Sequence, residues 1–246
     1  MALETRGIIR QMARENPTWG APRIHAELAK LGVHLSERSV QRWLPKRPLD
    51  PKRAQRWRSF LENHREVITA MDFMVVPTLN FGLLYVLVIL DHGRRTIRHV
   101  NVTAQPTAAW VKQQLREAFP FDDLPRFLLF DNDTVFGSVK AFIESLGITP
   151  KQTSFRSPWQ NGTCERVIGT LRRECFDHVI VVHEAHARRL LREYLAHYHD
   201  DRTHLGLDKD SPRGRPTDPH PGHGAKVIAH PRMGGLHHRY AWKRAA

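Results

Sequence analysis

The sequence predicts an α/β fold in which a mixed sheet carries helices on both faces and follows a small all-α unit. Three observations predict this: three short amphipathic helix patterns at the start, three consecutive strand patterns, and alternating helices and strands after them. Such an order is typical of a mixed sheet covered on both faces. The chain has 246 residues, 41% hydrophobic and 26% charged, which is a globular composition.

The first 48 residues predict three helices, of which the third begins after Ser36, a good N-cap. Thr5–Glu15 and Arg23–Leu31 supply the first two. Polar and basic side chains on the third helix could reach base edges and phosphates. We therefore predict a helix-turn-helix DNA-binding domain at residues 1–48, with a generic three-helix bundle as the alternative. Its expected DNA contacts are Arg38, Gln41 and Arg42.

Positive charge is concentrated at the two ends of the chain. Residues 1–58 hold 13 Lys and Arg against 5 Asp and Glu, and residues 211–246 hold 7 against 1. The whole chain carries +13, so the middle is close to neutral. Basic ends on a neutral body indicate a nucleic-acid binder. We predict a basic linker at residues 49–58 and a basic tail at 213–246, in which we expect a small DNA-contacting β element.

The near-neutral middle of the chain begins with three predicted strands, at Val67–Val76, Leu83–Leu90 and Thr96–Thr103. Asp72 lies inside the first of them, between apolar neighbours. A carboxylate in a buried strand is costly unless it is paired or binds a metal, so Asp72 is a candidate ligand.

Helices and strands alternate after this meander. The predicted elements are a helix at Pro106–Phe119, a strand at Phe127–Phe130, a helix at Val139–Leu146, a strand at Ile148–Phe155 and a last helix at His183–His199. Asp131 directly follows the fourth strand. Ligands bind near such strand ends in open α/β sheets, so Asp131 is the second candidate acid.

A further helix follows the turn at Asn161-Gly162, and Glu165 lies near its start. Gly169 and Arg172 are four and seven residues further on and share its side of the helix. An acid beside Arg166 and Arg172 suits a metal ligand next to phosphate-binding groups. A surface helix with solvated charges is the alternative.

Asp72 and Asp131 are 59 residues apart, and Asp131 and Glu165 are 34 apart. Three carboxylates from two strands and a helix can bind hard divalent cations through oxygen. Two such ions about 3.5–4 Å apart could activate a water or a 3′-hydroxyl and stabilise the leaving oxygen of a phosphodiester.

At these residues the sequence resembles the DDE triad of the integrase core, which retroviral integrases share with bacterial insertion-sequence transposases. The matching strings are TAMDFMVVPT, LLFDNDTVFG and SPWQNGTCERVIGTLRREC, followed by EYLAHYHDDRTHLGLDKDSP. The resemblance covers about residues 57–212. The segment NPTWGAPRIHAELAKLGVHLSERSVQRWL is similar to the helix-turn-helix that precedes the core in these transposases.

The resemblance implies a ribonuclease-H-like five-stranded core at residues 59–212 that cleaves DNA ends and transfers strands, as in DNA integration and transposition. It implies that Asp72, Asp131 and Glu165 are catalytic and hold two Mg²⁺ or Mn²⁺ ions; Asp131 is preferred to Asp133, which stands where many relatives have glycine. Arg166, Arg172 and Asn161 are expected to contact DNA. The implied partner is double-stranded DNA, both element ends and target, bound by a dimer or a higher oligomer.

Several absences are also expected. Integrases have an N-terminal zinc module with His and Cys ligands, and no cysteine precedes Cys164 here, so we predict no zinc. The longest apolar run is too short to span a bilayer, and nothing resembles a signal peptide. We expect no membrane association and a cytoplasmic, nucleoid-associated protein.

Two other hypotheses stay open. Relatives often have a further helix-turn-helix upstream, so the chain could be a truncated transposase remnant that binds DNA without catalysis. It could also be a ribonuclease-H-like nuclease that hydrolyses without strand transfer.

Overall fold

The computed structural model describes residues 3–16, 19–44, 51–120, 123–154 and 157–243. The chain divides into two compact units, Met1–Arg56 and Trp57–Ala246. No helix among the described residues has both the length and the apolar content that crossing a bilayer requires.

The first unit is helical, as the sequence predicts. Its described residues up to 44 form helices α1 (Leu3–Glu15), α2 (Ala21–Lys30) and α3 (Glu37–Trp43). Their apolar stripes meet in a core formed by Ile9, Ala21, Ile24, Leu28 and Val40. The Ser36 hydroxyl accepts a hydrogen bond from the Ser39 backbone N–H at 3.2 Å, which caps α3 at the predicted residue.

Helix α4 (Pro51–Asn63) includes residues 51–58 of the predicted linker, whose residues 49 and 50 lie outside the described residues. Proline suits the first helical position, where its missing N–H would have had no partner. Within the second unit, Trp57, Phe60 and Leu61 pack against the main core. The sequence pattern did not predict this helix, because residues 51–58 are mainly basic and the apolar stripe of α4 begins only at Trp57.

The second unit is built on a five-stranded mixed sheet. Its strands are β1 (Ile68–Pro77), β2 (Leu83–Asp91), β3 (Ile97–Thr103), β4 (Phe127–Phe130) and β5 (Thr149–Gln152). Their order is β3-β2-β1-β4-β5, with β1 in the centre. The first three strands are antiparallel, and β4 and β5 run parallel to β1. The predicted ribonuclease-H-like fold class is confirmed.

Helices cover both faces of the sheet. They are α5 (Ala108–Ala118), α6 (Thr134–Ser145), α7 (Gly162–Glu174) and α8 (Glu184–Ala196). Successive side chains of a strand point to opposite faces. Ala70 and Met74 of β1 therefore belong to the core with α7 and α8, whereas Met71 belongs to the core with α5 and α6.

The C-terminal region contains the expected β element. Strands β6 (Lys226–Arg232) and β7 (His237–Lys243) form an antiparallel hairpin. Gly234 and Gly235 in the connection adopt φ of 64° and 98°, a left-handed conformation that glycine reaches without strain. The hairpin belongs to the second unit and is not a free tail.

Candidate active site

Asp72 lies in the central strand and shares its face with Ala70 and Met74, on the side that α7 covers. Its side chain is half-buried. One carboxylate oxygen accepts a hydrogen bond from the Phe73 backbone N–H at 2.8 Å. The sheet therefore places the Asp72 carboxylate on the face that α7 covers.

Asp131 reaches the same level of the sheet through strand register. Strand β4 runs parallel to β1 with Leu129 opposite Ala70. Asp131 directly follows β4, two residues after Leu129, and after burial its charge is the main cause that raises the pKa of Asp72. The Asp131 carboxylate accepts a hydrogen bond from the Asp133 backbone N–H at 2.9 Å.

Asp133 has a separate structural task. Its carboxylate accepts a hydrogen bond from the Val135 backbone N–H at 2.8 Å and caps the start of α6. The predicted start of this helix at Val139 was five residues too late, because α6 begins at Thr134, directly after its Asp133 cap. One carboxylate oxygen of Asp133 is thus occupied by the hydrogen bond that caps α6.

Glu165 lies in the first turn of α7, and its side chain is exposed. Burial and the neighbouring Asp131 carboxylate raise the pKa of Glu165. The helix therefore brings the third acid within electrostatic range of the other two.

The three acids form a site of uncompensated negative charge. Burial is the largest cause that raises the pKa of Asp72 to about 7, followed by Asp131, with smaller contributions from Glu165 and Asp133. The hydrogen bond from Phe73 opposes the rise. The three acids are therefore close enough for Asp131 and Glu165 to influence the pKa of Asp72.

Asn161 does not lie on the surface, where its predicted DNA contact would require it. The side chain is 2% exposed, and its amide donates a hydrogen bond to the Met71 carbonyl at 3.3 Å. The preceding Gln160 carbonyl accepts a hydrogen bond from the Trp57 indole at 3.1 Å. These bonds hold the start of α7 against β1 and α4, so Asn161 positions the helix that carries Glu165.

The two arginines of α7 that were predicted to contact DNA lie in different surroundings. Arg172 donates a hydrogen bond to the Val75 carbonyl of β1 at 3.4 Å. Arg166 lines a cavity with Arg95 and Arg202. The structure therefore does not bring Arg166 and Arg172 together on one phosphate. In the first unit, the side chains of Arg38, Gln41 and Arg42 are all exposed on α3.

A second acid–histidine group was missed by the sequence analysis. Possible ligand atoms of Glu174, His197 and His237 lie within 4.8 Å of one another. The Glu174 carboxylate already accepts hydrogen bonds from the Arg202 guanidinium at 2.6 and 2.8 Å and from the Tyr194 hydroxyl at 2.9 Å. This network ties α7 to the chain after α8. The expected absence of zinc stays a prediction.

Comparison with known proteins supports the interpretation from sequence. Residues 146–212 match the model of the integrase core domain family. The chain is 21% identical over 212 residues to the insertion element IS407 uncharacterized 31.7 kDa protein of Burkholderia multivorans. That alignment covers 82% of this chain and 76% of the relative. The resemblance to integrase-core insertion-sequence transposases is confirmed.

Solved structures of the same class also align with the chain. A chain of the simian T-cell lymphotropic virus intasome aligns at 15% identity and a TM-score of 0.48, over 89% of this chain and 83% of that one. The catalytic domain of Mos1 mariner transposase aligns at 14% and 0.49, over 63% and 85%. The HTLV-2 integrase catalytic core, solved with magnesium, aligns at 13% and 0.47, over 61% and 95%.

Proposed function

We propose that this chain is a DDE-type transposase that cleaves the ends of a mobile DNA element and transfers them to target DNA in the cytoplasm. The observation that carries the proposal is the meeting of three acids from β1, the end of β4 and α7. The integrase-core match and the insertion-element relative support it.

The residues at the site fit a divalent metal cofactor. The donors of Asp72, Asp131 and Glu165 are carboxylate oxygens, which Mg²⁺ and Mn²⁺ prefer. Burial and then the negative charge of Asp131 raise the pKa of Asp72, as expected for a carboxylate close to another acid. Two ions held by these three side chains would supply activation of the attacking oxygen and stabilisation of the leaving oxygen.

The chain's own residues position and enclose this chemistry. In this proposal the central strand supplies Asp72, the end of β4 supplies Asp131, and α7, whose start Asn161 holds through Met71, supplies Glu165. The exposed Arg38, Gln41 and Arg42 would read or track element-end DNA from the first unit. Because two ends must be joined, we expect at least a dimer in the active complex.

A strand-transfer assay tests the proposal. Purified protein, labelled duplexes carrying the ends of the flanking element, and Mg²⁺ or Mn²⁺ should yield joined product. Glu165→Gln should abolish joining and leave DNA binding nearly unchanged. Binding without joining by the unmodified chain would favour a remnant that only recognises DNA, and hydrolysis without joining would favour a nuclease.

A further inference from the structure

A basic cavity lies beside α7, in the second unit. Its volume is about 230 Å³. Three arginines and three threonines supply most of its polar lining: Arg95, Arg166, Arg202, Thr163, Thr170 and Thr203. These residues come from the turn between β2 and β3, from α7 and from the segment after α8. Such a convergence of guanidinium and hydroxyl donors, drawn from three parts of the chain, is the chemistry that binds an anion.

The arginine charges are not matched by acids. Arg202 forms an ion pair with Glu174 at 2.6 Å. Across the described residues, neither Arg95 nor Arg166 has a carboxylate within 4.0 Å. The cavity therefore holds two guanidinium groups whose positive charge the protein does not neutralise.

Burial and the neighbouring arginines together lower the pKa values of groups in and near the cavity. Burial and then Arg166 lower the pKa of Arg95. Burial is also the main cause that lowers the pKa of His92 to about 4, and Arg65 and Arg166 lower it further. His204 in the cavity wall has a pKa of about 4, lowered by burial and then by Arg202 and Arg95. The histidines are thus neutral at pH 7, and the excess charge belongs to the arginines.

The cavity lies on a different face of α7 from the catalytic acid. Thr163, Arg166 and Thr170 follow one another at spacings of three and four residues and therefore share one face. Glu165 and Arg172 define another face, and the charges that raise the pKa of Asp72, after burial, are those of Asp131, Glu165 and Asp133. An anion held here would therefore be a second phosphate and not the one that reacts.

We propose that this cavity is a docking site for a non-reacting backbone phosphate of DNA, which sets how the duplex lies along α7. A volume of about 230 Å³ accommodates a phosphate but is small for a whole nucleotide or other drug-sized ligand. The choice of DNA as the source of the phosphate rests on the proposed function. The alternative source of the same chemistry is free inorganic phosphate.

The position of Arg95 supports a built site. Its backbone adopts φ of 57°, and its carbonyl accepts a hydrogen bond from the Tyr198 hydroxyl at 3.0 Å. The guanidinium also reaches Gly206 so closely that a Cβ atom there would collide with it. Because Gly206 has no side chain, the Arg95 guanidinium can occupy the space beside it.

The test measures binding of a random-sequence duplex as a function of salt, without any joining reaction. Arg95→Asn removes the charge and keeps a residue that tolerates positive φ. We expect about tenfold weaker binding and a salt slope reduced by about one. Arg95→Lys keeps the charge and should retain most of the slope. Gly206→Ala leaves the net charge unchanged but displaces the guanidinium, so it should also weaken binding.

Arg189→Gln is the matched control, since Arg189 is exposed on α8 and its loss changes net charge by the same amount. Equal effects of Arg95→Asn and Arg189→Gln, in variants with unchanged melting temperature, would overturn the proposal. A second outcome would also overturn it. If millimolar inorganic phosphate stabilised the parent chain but not Arg95→Asn, and both proteins showed the same salt slope for DNA binding, the ligand would be the free ion. Joining activity is not part of the readout, so failure of the proposed transposition would leave this result intact.

Discussion

At the residue scale, Asp131 and Asp133 lie two positions apart and have different tasks. Asp133 caps α6 through the Val135 N–H, whereas Asp131 continues β4 to the level of Asp72. The charge on Asp131 is therefore available to a metal, and an uncharged side chain at residue 133 can still serve as a cap.

This difference predicts opposite outcomes for the same substitution. Asp131→Asn should lower strand transfer by roughly 100-fold or more, because it removes a metal ligand. Asp133→Asn should keep most of the activity, since Asn caps helices about as well as Asp. Joined product measured for the two variants at equal concentration decides the assignment, and the reverse result would make Asp133 the second acid of the triad.

The raised pKa of Asp72 predicts that the stability of the metal-free protein depends on pH. Its pKa rises from 3.8 to about 7 on folding. Between these values the folded state holds a proton that the unfolded state has released, so the free energy of unfolding falls as pH rises. The decrease is at most about 1.4 kcal/mol per pH unit. Melting temperatures in EDTA at pH 5 and 7.5 should show it.

Asp72→Asn should largely remove this decrease, and Mg²⁺ added at pH 7.5 should oppose it in the parent chain. An equally steep decrease in the variant would mean that other groups cause the pH dependence.

At the element scale, α7 combines three roles in thirteen residues. It carries Glu165 on one face and lines the arginine cavity with another, and Val167 and Leu171 on its apolar face are buried in the core. Asn161 and Gln160 hold its first turn. A helix with this many fixed neighbours tolerates only changes that leave all its faces intact.

Gly169 in α7 and Gly147 after α6 predict opposite effects of alanine on stability. A Cβ atom at Gly169 would meet only the flexible end of Arg173 at 3.1 Å, so Gly169→Ala should stabilise the protein by up to about 1 kcal/mol. Gly147 has φ of 81°, so Gly147→Ala should destabilise it by about 1 kcal/mol or more. Denaturant midpoints measure both. A lower midpoint for Gly169→Ala would show that Arg173 cannot move aside.

At the scale of the whole molecule, Asp201 clamps the C-terminal hairpin to the second unit. Its side chain is 2% exposed and pairs with Arg232 of β6 at 2.6 Å and with Arg239 of β7 at 3.1 Å. One acid thus holds both strands of the hairpin.

Asp201→Asn should cost about 2 kcal/mol, less than a fully buried pair, because both arginine side chains are more than a third exposed. Trypsin should then cleave the hairpin faster. Asp200→Asn is the control, since Asp200 pairs with Arg213 at the surface and should contribute less than about 1 kcal/mol. Equal cleavage rates for the two variants would show that Asp201 is not the clamp.

Much of the fold could be predicted because its signals are local. Alternation and apolar runs gave β1 to β4 to within about two residues, and Ser36 marked the start of α3 correctly. Asp72 stood out because a carboxylate inside a buried strand is costly unless it is paired or binds a metal. Asp131 was a candidate because it follows a strand end, and the resemblance to the DDE triad joined Glu165 to these two acids.

The sequence by itself determined most element types and their order, since these depend on neighbours along the chain, and it predicted the three acids through their spacing and the resemblance. Only the tertiary structure decided that residues 51–58 are helical, that Asn161 is buried, and that Arg95 and Arg166 share a cavity. These features depend on contacts between distant residues. Trp57 donates a hydrogen bond to the Gln160 carbonyl, and Asn161 donates one to the Met71 carbonyl. Local periodicity carries no information about which distant surface will cover a side chain, and burial is what separates a positioning residue from a DNA contact.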